Sequence, residues 1–357
     1  MLYLDWLRGI AAVIMLQGHA FHSFTNKAGR DSSVYVLSQF VGGLPPAIFL
    51  FLTGVTLAFL MDSAQRKAIP PGRRVWIALK RSGYLFALAF AFRAQLWVFG
   101  QPSSPWTDLL KVDILNAMGL AIAALAVMSV FTTRDRVRLC AVLGVAIACV
   151  SPWVSALDWS VLPKALSAYV VPDYNFFSFF PWAAFLAFGV SAGSLIRVAH
   201  RDAIERIMQW SAIAGLVLIA LARYFSDLPY SIYTKSDFWL DSPALVFIKT
   251  GIILVMLSSA YVWTRYSVGE RWSWVAQFGT TSLLVYWVHI ELVYGRWFWM
   301  WKENLTVNQA MLTAFVLIPV MLLLSLARTH WDRVRGFLTV SPPPEPAPVR
   351  IRAEDDR

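Results

Sequence analysis

Apolar residues fill this chain in long runs separated by short polar stretches. Ten runs approach the length of about 20 residues that a helix needs to cross a bilayer. They lie near 3–23, 38–61, 82–99, 112–132, 137–156, 175–197, 206–223, 243–263, 272–294 and 308–328. The first run, Leu4 to Phe24, differs from the others in holding Asp5, Arg8, His19 and His22. At about 100° per residue, Asp5, Arg8, Met15, His19 and His22 share one side of a helix. Arg8 and His19 are eleven residues apart, about 16 Å along the axis. Ionisable groups in hydrocarbon are costly unless they face a cavity or a partner. Helix packing accounts for the methionine in this stripe but does not call for an arginine and two histidines.

The polar stretches between the runs orient the chain. The second loop holds Arg66, Lys67, Arg73, Arg74, Lys80 and Arg81, and the fourth Arg134, Arg136 and Arg138. The sixth carries Arg197, Arg201 and Arg206, and the eighth Arg265 and Arg271; the C-terminal end adds Arg328, Arg333, Arg335, Arg350, Arg352 and Arg357. Odd-numbered loops are poor in basic residues, Lys111 and Lys164 being examples. Positive charge collects on the cytoplasmic side of membrane proteins, so the alternation predicts about ten spans with both termini cytoplasmic. A transmembrane domain over 1–335 is expected, followed by a disordered tail over 336–357 that is Pro-rich and then charged.

Composition agrees with this all-α, polytopic reading. Of 357 residues, 58% are hydrophobic and only 15% charged. The net charge of +10 is explained by topology-setting loops, and no nucleic-acid partner is expected. Cys140 and Cys149 would point to opposite faces of one helix, which argues against a disulfide. CxxC spacing is absent and no metal site is expected. Asp5 and Arg8 interrupt the first run, and it lacks a small-residue cleavage site, so it is expected to remain attached as a helix.

Few other ionisable residues fall inside the runs. Arg93 requires an ion-pair partner, or offers its planar donor fork to a phosphate or carboxylate. Asp113 stands where a helix cap would be. Lys249 is expected to reach the outer interface and Glu291 to be solvated near it. His289 falls at the same depth as His19 and His22, which points to a shared outer cavity. Outer loops are rich in aromatics, including Trp153, Tyr174, Tyr233, Trp297, Trp299 and Trp301. These suit an interfacial belt or a surface on which sugars stack, and both remain open. Asp173, Asp227, Asp237 and Asp241 lie on the same side.

LDWLRGIAAVIMLQGHAFHSF resembles the opening helix of the transmembrane acyltransferases, in which an Arg or Lys is followed by ten residues and a His. Two branches share that spacing: O-acyltransferases of bacterial surface polysaccharides, and the heparan-alpha-glucosaminide N-acetyltransferase-like proteins. PPAIFLFLTGVTLAFLM, PDYNFFSFFPWAAFLAFGVSAGSLI and FGTTSLLVYWVHIELVYG are more similar to the second branch, and the similarity runs over roughly 1–295. Many relatives have Asp or Asn just before the motif His, whereas this chain has Gln17-Gly18-His19.

The resemblance implies transfer of an acyl group, expected to be acetyl, from cytosolic acyl-CoA to an amino sugar or other glycan across the membrane. His19 could take a proton from the acceptor or accept the acyl group itself. His22, His289 and Asp173 are the further catalytic candidates. Arg8, Arg73, Arg74, Arg81 and Arg93 are candidates for holding CoA, although Arg8 could equally pair with Asp5. The setting expected is a bacterial inner membrane, with lipid around the helices and a homodimer left open. O-acylation of a polysaccharide is the alternative within the enzyme class; a transporter using the intramembrane Arg and His is the alternative outside it. A non-enzymatic membrane subunit would leave the polar stripe without a role.

Overall fold

Each of the ten apolar runs carries helix, and where the helices break bears directly on the site. The structure, a computed structural model, describes residues 1–269 and 271–331. The expected tail over 336–357 and the end of the 1–335 domain lie outside these residues. The helices are α1 (Leu2–Phe24), α2 (Ser33–Gly42), α3 (Pro45–Arg66), α4 (Pro71–Phe99), α5 (Ile114–Leu125), α6 (Thr133–Ala156) and α7 (Lys164–Ser167). They continue as α8 (Ala183–Val198), α9 (Ile204–Ser226), α10 (Pro243–Trp263), α11 (Trp274–Thr280), α12 (Ser282–Tyr294) and α13 (Val307–Thr329). Among the described residues there is no strand, only isolated bridges at Thr25 with Leu305 and Asp173 with Phe176.

Among the described residues, seven helical stretches are long and apolar enough to cross a membrane: Ser33–Arg66, Pro71–Phe99, Trp106–Val130, Thr133–Ala156, Ile204–Ser226, Pro243–Ser267 and Val307–Thr329. α8 and α12 are apolar but shorter, and in α1 the polar stripe lowers the hydropathy. The molecule is therefore a polytopic, all-α membrane protein.

Three runs depart from single uninterrupted helices. The second is α2 and α3, separated at Gly43 and Leu44, with Pro45 opening α3, where its missing N–H costs nothing. The sixth becomes helical at Ala183 rather than near 175. The ninth divides at Thr281 into α11 and α12. Polar side chains gather around that last division, as irregular backbone at membrane depth requires. Gln277 Nε2 donates to Thr329 Oγ1 at 2.7 Å and to Ser325 Oγ at 2.9 Å, and Thr281 shares a hydrogen bond with Ser325.

Small residues let the helices approach. A Cβ on Gly9 would lie 1.8 Å from the Val275 carbonyl oxygen, and one on Gly279 1.8 Å from that of Asp5. α1 and α11 thus meet backbone to backbone, a contact that only glycine permits. Gly54 of α3 and Gly189 of α8 make the same kind of contact, with Leu186 and Phe51. One apolar core fills the space among α1, α3, α5, α8 and α10, and a second lies among α1, α11, α12 and α13.

Charged residues between the runs also clasp the helices. Buried Asp62 receives Arg197 Nε at 2.7 Å, Arg66 Nε at 2.9 Å and the Thr133 hydroxyl at 2.9 Å. Arg136, fully buried, donates to the Phe131 carbonyl and to Thr133. This group ties α3, α6 and α8 together at one end of the bundle.

Candidate active site

α1 forms one wall of a cavity of about 850 Å³, within the range of about 300–1,000 Å³ usual for small-molecule sites. Arg8, Arg81, Thr280, Thr281 and Arg328 line one end, and His22, Tyr294, Asn175 and Phe177 the other, with His19 on the wall. The broken helix contributes Gly279 through Leu284, and the Gly42–Pro46 break lies on the same cavity. Both helix divisions therefore serve to open space beside α1.

His19 and His289 stack with ring planes 11° apart, and His19 Nδ1 lies 2.9 Å from His289 Nε2. His289 is fully buried, and its Nδ1 lies 2.7 Å from the Val285 carbonyl oxygen. A carbonyl has no proton to give, so His289 Nδ1 donates to it, and the Nε2 of the neutral ring accepts. His19 Nδ1 is then the donor in the pair, and His19 Nε2 carries the lone pair. That nitrogen has no hydrogen-bond partner among the described residues. The sequence placed His19 and His289 at one depth, and the fold brings them into contact.

Tyr294, which the sequence did not single out, closes the end of the cavity near His22. Its ring centroid is 5.4 Å from that of His19, and its hydroxyl is 3.0 Å from His22 Nδ1. Nothing in the local sequence separates it from the aromatics of the neighbouring loops. Asp173 is exposed and does not line the cavity; it accepts from the backbone N–H of Asn175 at 2.7 Å, and Asn175 is the lining residue. Tyr174, beside it in the loop, donates to Asp237 at 2.6 Å, and that bond pushes its phenol up to about 12.

The arginine candidates divide into two groups. Arg8, Arg81 and Arg93 line the cavity, whereas Arg73 and Arg74 do not. Arg8 also pairs with Asp5 at 3.0 Å, so its two sequence-level roles coexist. Arg93 Nε is 3.5 Å from Asp113 Oδ2. Asp113 caps α5 through its other oxygen, in a capping box with Asn116. Arg328 lines the end near Arg8 as well; its position among the C-terminal basic residues had marked it only as a topology charge. Lys249 reaches the face of Trp182, with Nζ 5.2 Å from the ring centroid. Glu291 corrects the sequence reading: it is buried rather than solvated, because the 295–302 segment folds over it.

The family model described as heparan-alpha-glucosaminide N-acetyltransferase, catalytic, matches residues 1–234. Those residues hold Arg8, His19, His22, Arg73, Arg74, Arg81, Arg93 and Asp173; His289, Tyr294 and Arg328 lie beyond them. No curated protein matches the chain.

Proposed function

The chain belongs to the heparan-alpha-glucosaminide N-acetyltransferase catalytic family, and from that premise we propose that it moves an acetyl group from cytosolic acetyl-CoA to an amino sugar or other glycan on the opposite side of the membrane. The observation that carries this reading is the hydrogen-bonded series from the Val285 carbonyl through His289 to His19 on the cavity wall. It leaves His19 Nε2 as a base facing the space where donor and acceptor would meet. The donor supplies an activated thioester, whose C–S bond breaks as the bond to the acceptor nitrogen forms. His19 Nε2 takes the proton that the attacking amine sheds and returns it to the departing sulfur. His289 accepts the hydrogen bond from His19 Nδ1 and so keeps the ring in the tautomer this requires. An acetyl-histidine route would use the same lone pair.

Residues at the inner end suit the other part of the donor. Arg8, Arg81 and Arg328 bring three guanidinium groups to one mouth of the cavity, and planar donor forks match phosphate oxygens. Their separation from His19 along α1 suits a long, thin arm reaching from a phosphate-bearing end to the base. The loop charges support placing this mouth at the cytoplasm.

Purified protein incubated with radiolabelled acetyl-CoA and glucosamine-terminated acceptors tests the proposal. Wild type transfers label, and His19→Ala lowers the rate by about 10²–10⁴-fold. Undiminished transfer by His19→Ala would contradict the role given to this residue. Hydroxylamine distinguishes the two enzyme readings: label on nitrogen resists it, whereas label on a polysaccharide hydroxyl is released.

A further inference from the structure

Arg93 lines the His19 cavity from α4, and the transfer chemistry leaves it without a role. Its neighbours fix its level in the molecule. α1 and α4 are each continuous helices, over Leu2–Phe24 and Pro71–Phe99, and Arg8 and Arg81 stand close enough for their charges to repel. From Arg8 to His19 is eleven residues and from Arg81 to Arg93 twelve, about 16 and 18 Å of helix. Contacts at the far end agree. The Phe92 ring centroid is 5.5 Å from that of Tyr286, and Tyr286 is 5.9 Å from His289, the partner of His19. Arg93 therefore stands at the level of His19 on another wall of the same cavity.

Its guanidinium is unengaged. An arginine offers five N–H groups in a planar fork, and Arg93 donates none of them to a described residue. Arg8, by contrast, donates to Asp5 and Arg81 to Thr56. The carboxylate beside Arg93 is that of Asp113, whose Oδ2 lies 3.5 Å from Arg93 Nε; both atoms are buried and neither is hydrogen-bonded. Asp113 is held by its other oxygen, which accepts from the N–H groups of Leu115 at 2.9 Å and Asn116 at 3.2 Å. The carboxylate thus offsets the charge of Arg93 without occupying its donors. Buried polar groups are nearly always paired, so donors left open on a cavity wall mark a place for an acceptor oxygen.

We infer that Arg93 is a catalytic residue whose guanidinium donates to the thioester carbonyl oxygen and holds the negative charge that gathers there during transfer. The inference rests on the proposed reaction. As the bond from the acceptor nitrogen to the thioester carbon forms, the carbonyl π pair moves onto the oxygen beside Arg93. The proton shed by the amine goes to His19 Nε2. The pair returns as the C–S bond breaks, and the proton passes to the sulfur. Donors fixed where charge develops lower the barrier because they need no reorganisation at that moment. An acetyl-histidine route places charge on the same oxygen, so Arg93 serves either route.

Steady-state acetyl transfer by the purified full-length protein to a glucosamine-terminated acceptor tests this role. Arg93→Gln should lower kcat about 10²–10³-fold and leave KM for both substrates unchanged. Arg93→Ala should regain part of its rate when guanidinium chloride is added. Unchanged calorimetric binding of CoA shows that the variants are folded. A merely structural arginine would act by leaving buried Asp113 uncompensated, and Arg93→Gln/Asp113→Asn separates the two roles, since Asn keeps the helix cap. The double variant stays as slow as Arg93→Gln if Arg93 holds the oxygen, and regains the wild-type kcat if it only neutralises Asp113. Such recovery, an undiminished kcat in Arg93→Gln, or a loss confined to KM would overturn the inference while wild type still transfers label. Absence of transfer by wild type would instead overturn the transfer reading, and this role with it.

Discussion

His19 lines the cavity with its Nδ1 engaged by His289, 2.9 Å away on a helix 270 residues further along the chain, which leaves Nε2 free for the proposed chemistry. Removing His289 frees the His19 ring to rotate and change tautomer. Losing a hydrogen bond of roughly 1–3 kcal/mol should lower kcat about five- to a hundredfold in His289→Ala. KM for acetyl-CoA should stay unchanged in steady-state kinetics, since His289 does not line the cavity. Arginine substitutions give the opposite split. Arg328→Gln should raise KM for acetyl-CoA, whereas Arg73→Gln, off the cavity, should leave it unaltered. At this scale the sequence revealed the residues that violate their surroundings: Arg8 and His19 stand out because hydrocarbon does not tolerate them unaided. It could not reveal the partner of His19, since depth in a bilayer does not fix which faces of two helices meet. Glu291 was misjudged for a related reason, because a residue near a helix end is solvated only if the next segment folds away from it.

Helix contacts determine whether the cavity exists. Gly9 and Gly279 place the backbones of α1 and α11 against each other, and α11 ends at the Thr280–Thr281 division that lines the cavity. Gly9→Leu would drive a side chain into the Val275 carbonyl. Overpacking of this kind costs roughly 1–3 kcal/mol or more, so thermal unfolding in detergent should shift to lower temperature, with activity lost alongside. Gly72→Ala serves as the control, because a Cβ there meets nothing within 4 Å. All ten helical runs were legible from hydropathy alone. The division at Thr281 was not, because Gly279, Thr280 and Thr281 sit inside an otherwise apolar run. What stabilises that division, Gln277 with Ser325 and Thr329, is contributed partly by α13, 48 to 52 residues away.

Across the whole molecule, the arrangement proposed is a passage with cations at a cytoplasmic mouth and a base further along. Its orientation rests on loop charge, and single cysteines test it. Ser160→Cys, on an exposed outer turn, should react with an impermeant maleimide added to intact cells, while Lys67→Cys should react only once the membrane is opened. Cys140 is buried and Cys149 half-buried, which keeps the background low. Two interrupted helices beside a central cavity are also features of transporters, so the claim that most needs testing is that a group is transferred across the membrane rather than a molecule carried through it. The most direct measurement uses proteoliposomes with acetyl-labelled CoA on the side of the basic loops and an amino-sugar acceptor trapped on the other. The account predicts that label appears on the trapped acceptor with wild type, that the CoA itself stays where it was added, and that His19→Ala slows product formation by about 10²–10⁴-fold. Intact acetyl-CoA or unmodified sugar crossing the membrane, or equal product with His19→Ala, would contradict it.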